Sequence, residues 1–211
     1  MHILVMGVGN LLWADEGFGV RCVEAFAARY AASDTLEILD GGTQGLALVP
    51  NVAAATHLIL FDAVDFAKAP GSLVIARDAE VSGFVGADKM SLHQAGMNDV
   101  FACALLMGKS PQHITLIGVQ PVELDDYGGS LTPPVRAQIE PALAAAAAQL
   151  ASWGVSLAPR TEAEKLRANP IGLEPYEAGR PVADDACRIG DARVLAQARM
   201  PDNNNDTRSE P

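Results

Sequence analysis

The chain has 211 residues, of which 49% are hydrophobic and 19% charged, enough apolar material for one domain of ordinary size. A formal net charge of -11 argues against a nucleic-acid partner, because affinity for nucleic acids comes largely from Lys and Arg. No stretch approaches the ~20 apolar residues of a membrane-spanning helix. The three cysteines of the chain form no C-x-x-C pair. The N-terminal sequence MHILVMGVGN lacks the basic region of a signal peptide. We therefore expect a protein of the reducing cytoplasm that binds neither nucleic acid nor membrane.

Short apolar runs rich in β-branched residues alternate with longer amphipathic or alanine-rich stretches, which is typical of a layered α/β domain. The predicted strands, in chain order, are residues 2–6, 36–39, 57–61, 73–76 and 114–118. The predicted helices are residues 16–30, 44–52, 96–107 and 133–153.

The connection between the third and fourth strands is unusually short. Only AVDFAKAP separates Asp62 from Gly71, whereas a parallel crossover needs about a dozen residues. The fourth strand is therefore predicted to be antiparallel. The expected fold is α/β with three α/β/α layers, around a five-stranded mixed sheet of four parallel strands and one antiparallel strand.

The composition changes after Leu157. Six of the thirteen prolines fall in this last part, which ends in a polar, asparagine-rich sequence. Its apolar residues are too interrupted to form a second core. The sequence predicts one domain over residues 1–157 and a C-terminal extension over residues 158–211 that is flexible or partly disordered.

Acidic residues follow three of the predicted strands. GVGNLLWADEG brings Asp15 and Glu16 after the first strand, ILDGGT brings Asp40 after the second, and LILFDAVD brings Asp62 and Asp65 after the third. Ligands of such sheets gather outside the carboxyl ends of the parallel strands, so these carboxylates are expected at one functional edge.

A histidine completes a candidate metal site. His93 stands in SLHQAG, predicted to be a loop before a helix. Together with Glu16 and Asp62 it would supply two oxygen ligands and one nitrogen ligand, leaving coordination positions open for an exchangeable metal. Nickel, zinc or cadmium would each suit this set. Alternatively, Glu16 complements a helix dipole and Asp62 binds turn amides.

Other enzyme signatures are weak or missing. The glycines of GVGN invite a dinucleotide-binding interpretation, but the third glycine of G-x-G-x-x-G is replaced by Leu12. Asp15 and Glu16 would also face the incoming phosphate. The sequence contains no G-x-S-x-G, H-E-x-x-H or S-x-x-K motif, so a conventional hydrolytic nucleophile is not indicated.

The ordered blocks GVGNLLWADEGFGV, DGGTQG, LILFDAVD, SLHQAG and GVQP resemble the hydrogenase maturation endopeptidases, especially the branch that serves uptake hydrogenases. This resemblance runs from Met1 to about Gly154. It implies a phosphorylase/hydrolase-like fold and a peptidase grouped with the aspartic type. The expected activity is removal of the C-terminal extension of a nickel-iron hydrogenase large subunit precursor once nickel has been loaded.

The resemblance also assigns residues. It implies that Glu16, Asp62 and His93 contact a metal, and that Asp40, Gly41 and Gly42 take part in substrate recognition. The metal is expected to be the nickel of the substrate, with zinc or cadmium as substitutes. Either the three side chains probe that nickel, or the metal polarises the scissile carbonyl while Asp62 or Glu16 handles protons. A non-enzymatic nickel chaperone or assembly factor is the alternative function.

Overall fold

The structure, a computed structural model, describes residues 1–81, 92–161 and 171–180, and for residues 92–95 it describes the backbone alone. The strands are β1 Ile3–Val8, β2 Leu36–Gly42, β3 His57–Ala63, β4 Leu73–Arg77 and β5 His113–Val119. The α-helices of these segments are α1 Phe18–Arg29, α2 Val49–Ala54, α3 Leu92–Leu106, α4 Pro133–Arg136, α5 Ile139–Ser152 and α6 Leu173–Gly179. None of the described helices is long and apolar enough to cross a bilayer.

The five strands form one mixed sheet in the order β2-β1-β3-β5-β4. The pairs β1–β2, β1–β3 and β3–β5 are parallel, whereas β4 runs antiparallel to β5. This confirms the predicted α/β fold with one reversed strand. The short connection after β3 is the physical reason, because it cannot carry the chain back across the sheet.

The sheet is covered on both faces. On one face, inward side chains of the strands pack with α1 and α5 around Phe18, Phe26 and Phe61. On the other face, alternate strand residues pack with α2 and α3 around Leu48, Met97 and neighbouring apolar side chains. The period-two alternation of β3 therefore decides which layer each of its side chains meets.

Three predicted helices are divided in the structure. The one predicted over residues 44–52 becomes a 3-10 helix, Gly45–Leu48, followed by α2. A 3-10 helix, Ala14–Gly17, precedes α1, so Glu16 lies in a tight turn rather than in the α-helix itself. The predicted helix over residues 133–153 splits into α4 and α5. Pro141 lacks the N–H that would bond the carbonyl of Ala137, and this accounts for the interruption.

The segment after Leu157 begins in contact with the domain. The compact unit that holds the sheet spans Met1–Gly179, and Pro159 forms an isolated bridge with Tyr30. Much of the predicted extension, residues 162–170 and 181–211, lies outside the described residues. The predicted boundary after residue 157 stays a prediction.

Candidate active site

Asp62 lies at the carboxyl end of β3 and is only 4% exposed. Its Oδ1 accepts a hydrogen bond of 2.8 Å from the N–H of Ala63. Leu58 and Leu60 of the same strand face α2 and α3, and the strand alternation places Asp62 on that face as well. The structure thus holds a buried carboxylate at the carboxyl end of β3, on the face of the sheet that α3 covers.

Glu16 lies in the 3-10 turn that follows β1, and this turn contacts β3. One carboxylate oxygen of Glu16 is shielded from solvent. Gly9, with a φ of +136°, lets the chain pass closely under this turn: a Cβ on Gly9 would meet the carbonyl oxygen of Glu16 at 1.9 Å. The turn also contains Ala14 at a φ of +40°, a left-handed conformation that alanine seldom adopts. The backbone around Glu16 is therefore closely constrained.

Asp15 anchors this turn to the chain that follows β5. Its side chain is fully buried, and Oδ2 accepts hydrogen bonds of 2.9 Å from the N–H groups of both Val122 and Glu123. The N–H of Thr132 donates to Oδ1 at 2.7 Å, and the Thr132 hydroxyl donates to Oδ2 at 3.0 Å. The sequence predicted that Asp15 lies at the carboxyl ends of the parallel strands but indicated no role for it. The structure shows that it fixes the turn next to Glu16.

Asp40 lies near the end of β2 and keeps contact with solvent. Its Oδ1 accepts a hydrogen bond of 2.9 Å from the N–H of Gly42, which adopts a φ of +45°. Partial burial raises the pKa of the Asp40 carboxyl above its ordinary value, although the Gly42 N–H and the charge of Arg21 act in the opposite direction. Asp40 thus stabilises the turn that contains Gly41 and Gly42.

The strand register separates Asp40 from Asp62. Gly7 of β1 pairs with Asp40 on one side and with Phe61 on the other. Asp40 and Phe61 therefore share one face of the sheet, while Asp62, one residue later, belongs to the opposite face. The sequence predicted that both carboxylates lie at the carboxyl ends of the parallel strands. It did not predict on which face of the sheet each carboxylate lies.

His93 lies within α3, whose described part begins at Leu92. The predicted loop position of His93 is wrong, because residues 92–96 already belong to α3, and a helix tolerates an interior glycine such as Gly96 at a modest cost. Only the backbone of His93 is described, so its predicted contact with Glu16 and Asp62 stays a prediction. Among the described side chains, no group of three His, Cys, Asp or Glu residues could hold a metal ion.

A small cleft opens on the face of the sheet that Asp62 shares. It has a volume of about 80 Å³ and lies between the chain after β2 and the N-terminal part of α3. Its lining residues are Val8, Gly42, Thr43, Gly45, Leu48, Gly96 and Met97. Of these, only Gly42 belongs to the predicted site. The apolar residues of this cleft could not be recognised as part of a site from the sequence, because the hydrophobic core uses the same residue types.

The chain matches a protein family model and several known proteins. The family model HycI, hydrogenase maturation protease, matches residues 20–149. The hydrogenase expression/formation protein HoxM of Azotobacter vinelandii is 54% identical over 202 residues, covering 95% of this chain and 98% of that protein. An alignment of this length extends well beyond Leu157, so the similarity does not stop near Gly154 as expected from the sequence blocks.

Two further comparisons concern Escherichia coli. Its hydrogenase 2 maturation protease is 47% identical over 161 residues, covering 76% of this chain and 97% of that protein. The solved structure of the hydrogenase maturating endopeptidase HybD superposes with a TM-score of 0.71 at 46% identity, covering 76% of this chain and 98% of that chain. From the matched residues, the coverage and the shared fold together, the chain belongs to the family of hydrogenase maturation proteases, which are endopeptidases.

Proposed function

We propose that this protein is the endopeptidase that removes the C-terminal extension from the nickel-loaded large subunit precursor of a nickel-iron hydrogenase. Asp62 carries the proposal, because it is a nearly buried carboxylate held at the carboxyl end of a parallel strand, where α/β sheets bind their ligands. Family membership supports the reaction class, and the relative from Escherichia coli is a hydrogenase 2 maturation protease.

In this proposal Glu16, Asp62 and His93 contact the nickel that the precursor already holds. The chemistry of the donors fits, since two carboxylates and an imidazole suit a divalent metal of this kind. The turn of Glu16 contacts β3, which carries Asp62. His93 belongs to the helix that packs on the face of the sheet to which Asp62 belongs. A metal recognised in this way makes processing conditional on nickel loading.

Hydrolysis requires a water molecule to add to the scissile carbonyl carbon and a proton to reach the leaving nitrogen. A carboxylate near that carbon can accept a proton from the attacking water and pass it to the amine as the C–N bond breaks. The products are a new C-terminal carboxylate on the large subunit and a free amine on the released peptide. We assign the proton transfer to Asp62 or Glu16, whose carboxylates also contact the nickel.

We include recognition of the precursor through Asp40, Gly41 and Gly42, and a cytoplasmic location, in the same proposal. The hydrogen bond from Gly42 to Asp40 holds their turn in a defined shape beside the cleft. Cys22 and Cys103 are free thiols, in keeping with a reducing compartment. A nickel chaperone using the same ligands would transfer metal without cleaving a peptide bond.

The deciding experiment incubates the protein with nickel-loaded and nickel-free large subunit precursor and measures the intact mass of the large subunit over time. We expect loss of the C-terminal peptide from the nickel-loaded precursor alone. Cleavage of both precursors would remove nickel recognition from the proposal. Metal transfer with no mass loss in either sample would replace the peptidase by the chaperone.

A further inference from the structure

The small cleft beside Asp62 has a lining suited to an apolar side chain. Val8, Leu48 and Met97 are buried apolar residues of one cluster, and they form its walls. Gly42, Gly45 and Gly96 form much of the remaining lining of the cleft. At Gly45 a Cβ would meet nothing within 4 Å, and at Gly96 it would meet only the Cα of Gly45 at 3.6 Å. The absence of these two side chains keeps the cleft open.

The cleft lies next to the proposed reaction centre. Gly7 and Phe61 are the last paired residues of β1 and β3, and Val8 and Asp62 are the residues that follow them on these adjacent strands. Parallel neighbours are separated by about 4.8 Å, and these two residues belong to the same face of the sheet. On the other wall, His93 precedes Gly96 by three residues, which is less than one turn of α3.

The volume of the cleft limits what can enter it. An apolar cavity of about 150 Å³ accommodates benzene. A cleft of about 80 Å³ therefore has room for an aliphatic side chain of three or four carbon atoms, and it is too small for an aromatic ring or a nucleotide base. No described charged side chain lines it. A branched aliphatic side chain is the group whose size and polarity match.

We propose that this cleft, lined by Val8, Leu48, Gly96 and Met97, is the binding pocket for one aliphatic side chain of the precursor, belonging to the residue that follows the cleaved bond. This inference rests on the proposed function. In that function the C-terminal extension leaves while the large subunit keeps its nickel, so the residues that hold the metal against Glu16, Asp62 and His93 lie before the cleaved bond. The residue that follows the cleaved bond is next along the peptide, and the neighbouring cleft is close enough to receive its side chain.

Substitution of Gly96 tests the pocket without removing any side chain. Gly96→Ala adds one methyl group to the wall, and alanine is the better helix former, so the protein is expected to fold. The probe is a set of nickel-loaded precursors with Ala, Val, Leu or Phe after the cleaved bond. An extra methyl group in an apolar pocket changes discrimination by about tenfold or more. We expect the Leu-to-Ala ratio of kcat/KM to fall by that factor.

A second variant should shift the preference in the opposite direction. Met97→Ala enlarges the cleft, and we expect the Phe-to-Val ratio of kcat/KM to rise by about tenfold. Ala102→Leu is the matched control, since it adds carbon atoms to an exposed position of the same helix and should leave both ratios unchanged. Unaltered ratios in both cleft variants, with normal processing by the parent protein, would overturn the pocket alone. Failure of the parent protein to cleave any precursor would overturn the proposed function and the pocket with it.

Discussion

Thr132 donates two hydrogen bonds to the buried carboxylate of Asp15, one from its backbone N–H at 2.7 Å and one from its hydroxyl at 3.0 Å. The same carboxylate accepts the N–H groups of Val122 and Glu123. Asp15 therefore ties both ends of the connection between β5 and α4 to the turn that contains Glu16. The shape of that turn therefore depends on Asp15, which has no part in the proposed metal contacts or proton transfer.

Asp15→Asn should weaken both the fold and the reaction. Asparagine offers one acceptor oxygen where Asp15 uses two, so its amide group faces a buried N–H donor in either orientation. Such a mismatch costs about 1–3 kcal/mol per buried group. We expect the free energy of unfolding in urea to fall by about 2–4 kcal/mol. The processing rate at saturating precursor should fall as well, because the turn of Glu16 loses its anchor.

Asp125→Asn provides the control for this change. Asp125 lies on the same connection after β5, but it is exposed, so neutralising its charge should change the unfolding energy by less than about 0.5 kcal/mol. Equal stabilities of the two variants would mean that the Asp15 network does not hold the turn.

Gly7 and Gly19 allow α1 to pack directly on β1. A Cβ on Gly7 would lie 2.0 Å from the carbonyl oxygen of Gly19, and a Cβ on Gly19 would lie 2.2 Å from that of Phe61. These atoms belong to the buried backbones of α1 and β3 and cannot move aside. Gly7→Ala should therefore destabilise the fold by at least about 3 kcal/mol in urea unfolding, at the upper end of overpacking costs.

Gly179→Ala is the matched glycine substitution, because a Cβ there meets nothing within 4 Å. We expect its unfolding energy to lie within about 0.5 kcal/mol of the parent protein. If Gly7→Ala behaved in the same way, the close approach of α1 to β1 would be refuted.

Much of the fold was predictable because it depends on local patterns. Apolar runs located all five strands to within a few residues, and the eight residues between Asp62 and Gly71 were enough to reverse β4. Helix ends were less predictable. Pro141 divided a predicted helix, since the consequence of one missing N–H depends on the surrounding chain.

The candidate site was predictable only in part. The strand pattern brings Asp40 and Asp62 to one edge, but the face that each side chain takes depends on register, which only pairing with β1 reveals. The role of Asp15 depends on amides of Val122 and Thr132, more than 100 residues further along the chain. Nothing in the local sequence around Asp15 indicates such partners.

The described part of the C-terminal segment docks on α1 through Tyr176. The guanidinium of Arg21, a residue only 4% exposed, lies 5.3 Å from the centre of the Tyr176 ring and donates to the carbonyl of Ile171 at 2.6 Å. The Tyr176 hydroxyl donates to the carbonyl of Gly129 at 3.1 Å. This residue thus connects α6 to α1 and to the chain that precedes α4.

Tyr176→Ala should loosen α6 locally while most of the domain stays folded. Loss of the cation–π contact and the hydroxyl bond removes about 1–3 kcal/mol of docking energy. We expect faster amide hydrogen exchange in residues 171–180, with exchange in β1 and β3 unchanged. Tyr176→Phe keeps the ring over Arg21 and should show a smaller increase. Unchanged exchange in Tyr176→Ala would show that the ring does not hold the segment.

His57 should make the stability depend on pH. Burial lowers the pKa of its imidazole below the ordinary 6.5, the positive charges of His113 and the N-terminal amine act in the same direction, and Asp78 opposes them. The unfolded chain then binds the proton more readily than the folded chain. The His57 contribution to stability is present above pH 6.5 and is lost as the pH falls through the lowered folded pKa.

His57→Gln should remove this part of the pH dependence. Urea unfolding measured at several pH values below neutrality should give a flatter curve for the variant than for the parent protein. His2→Gln is the control at another histidine, which bonds Glu37 instead of packing against His113 and Trp153. Curves of equal slope for the parent and His57→Gln would contradict the assignment.

Asp62→Asn should abolish most processing while leaving the fold intact. Asparagine retains an oxygen that can accept the N–H of Ala63, so we expect the unfolding energy to change by less than about 1 kcal/mol. It cannot accept a proton from water, and it is a poorer metal ligand than a carboxylate. Loss of a positioned general base costs about 10²–10⁴-fold in rate. The measurement is the rate of mass loss from the nickel-loaded precursor.

Asp65→Asn is a close match for this variant, because Asp65 follows the same strand and its Oδ1 accepts the N–H of Ala67 at 2.9 Å. Asp65 is exposed, however, whereas Asp62 is buried on the face next to α3. A charge lost at Asp65 should therefore leave the rate within about twofold, a change of less than 0.5 kcal/mol in the barrier. His93→Gln should resemble Asp62→Asn if its side chain completes the nickel contacts. Normal processing by Asp62→Asn would remove this carboxylate from the reaction, whatever the outcome at His93.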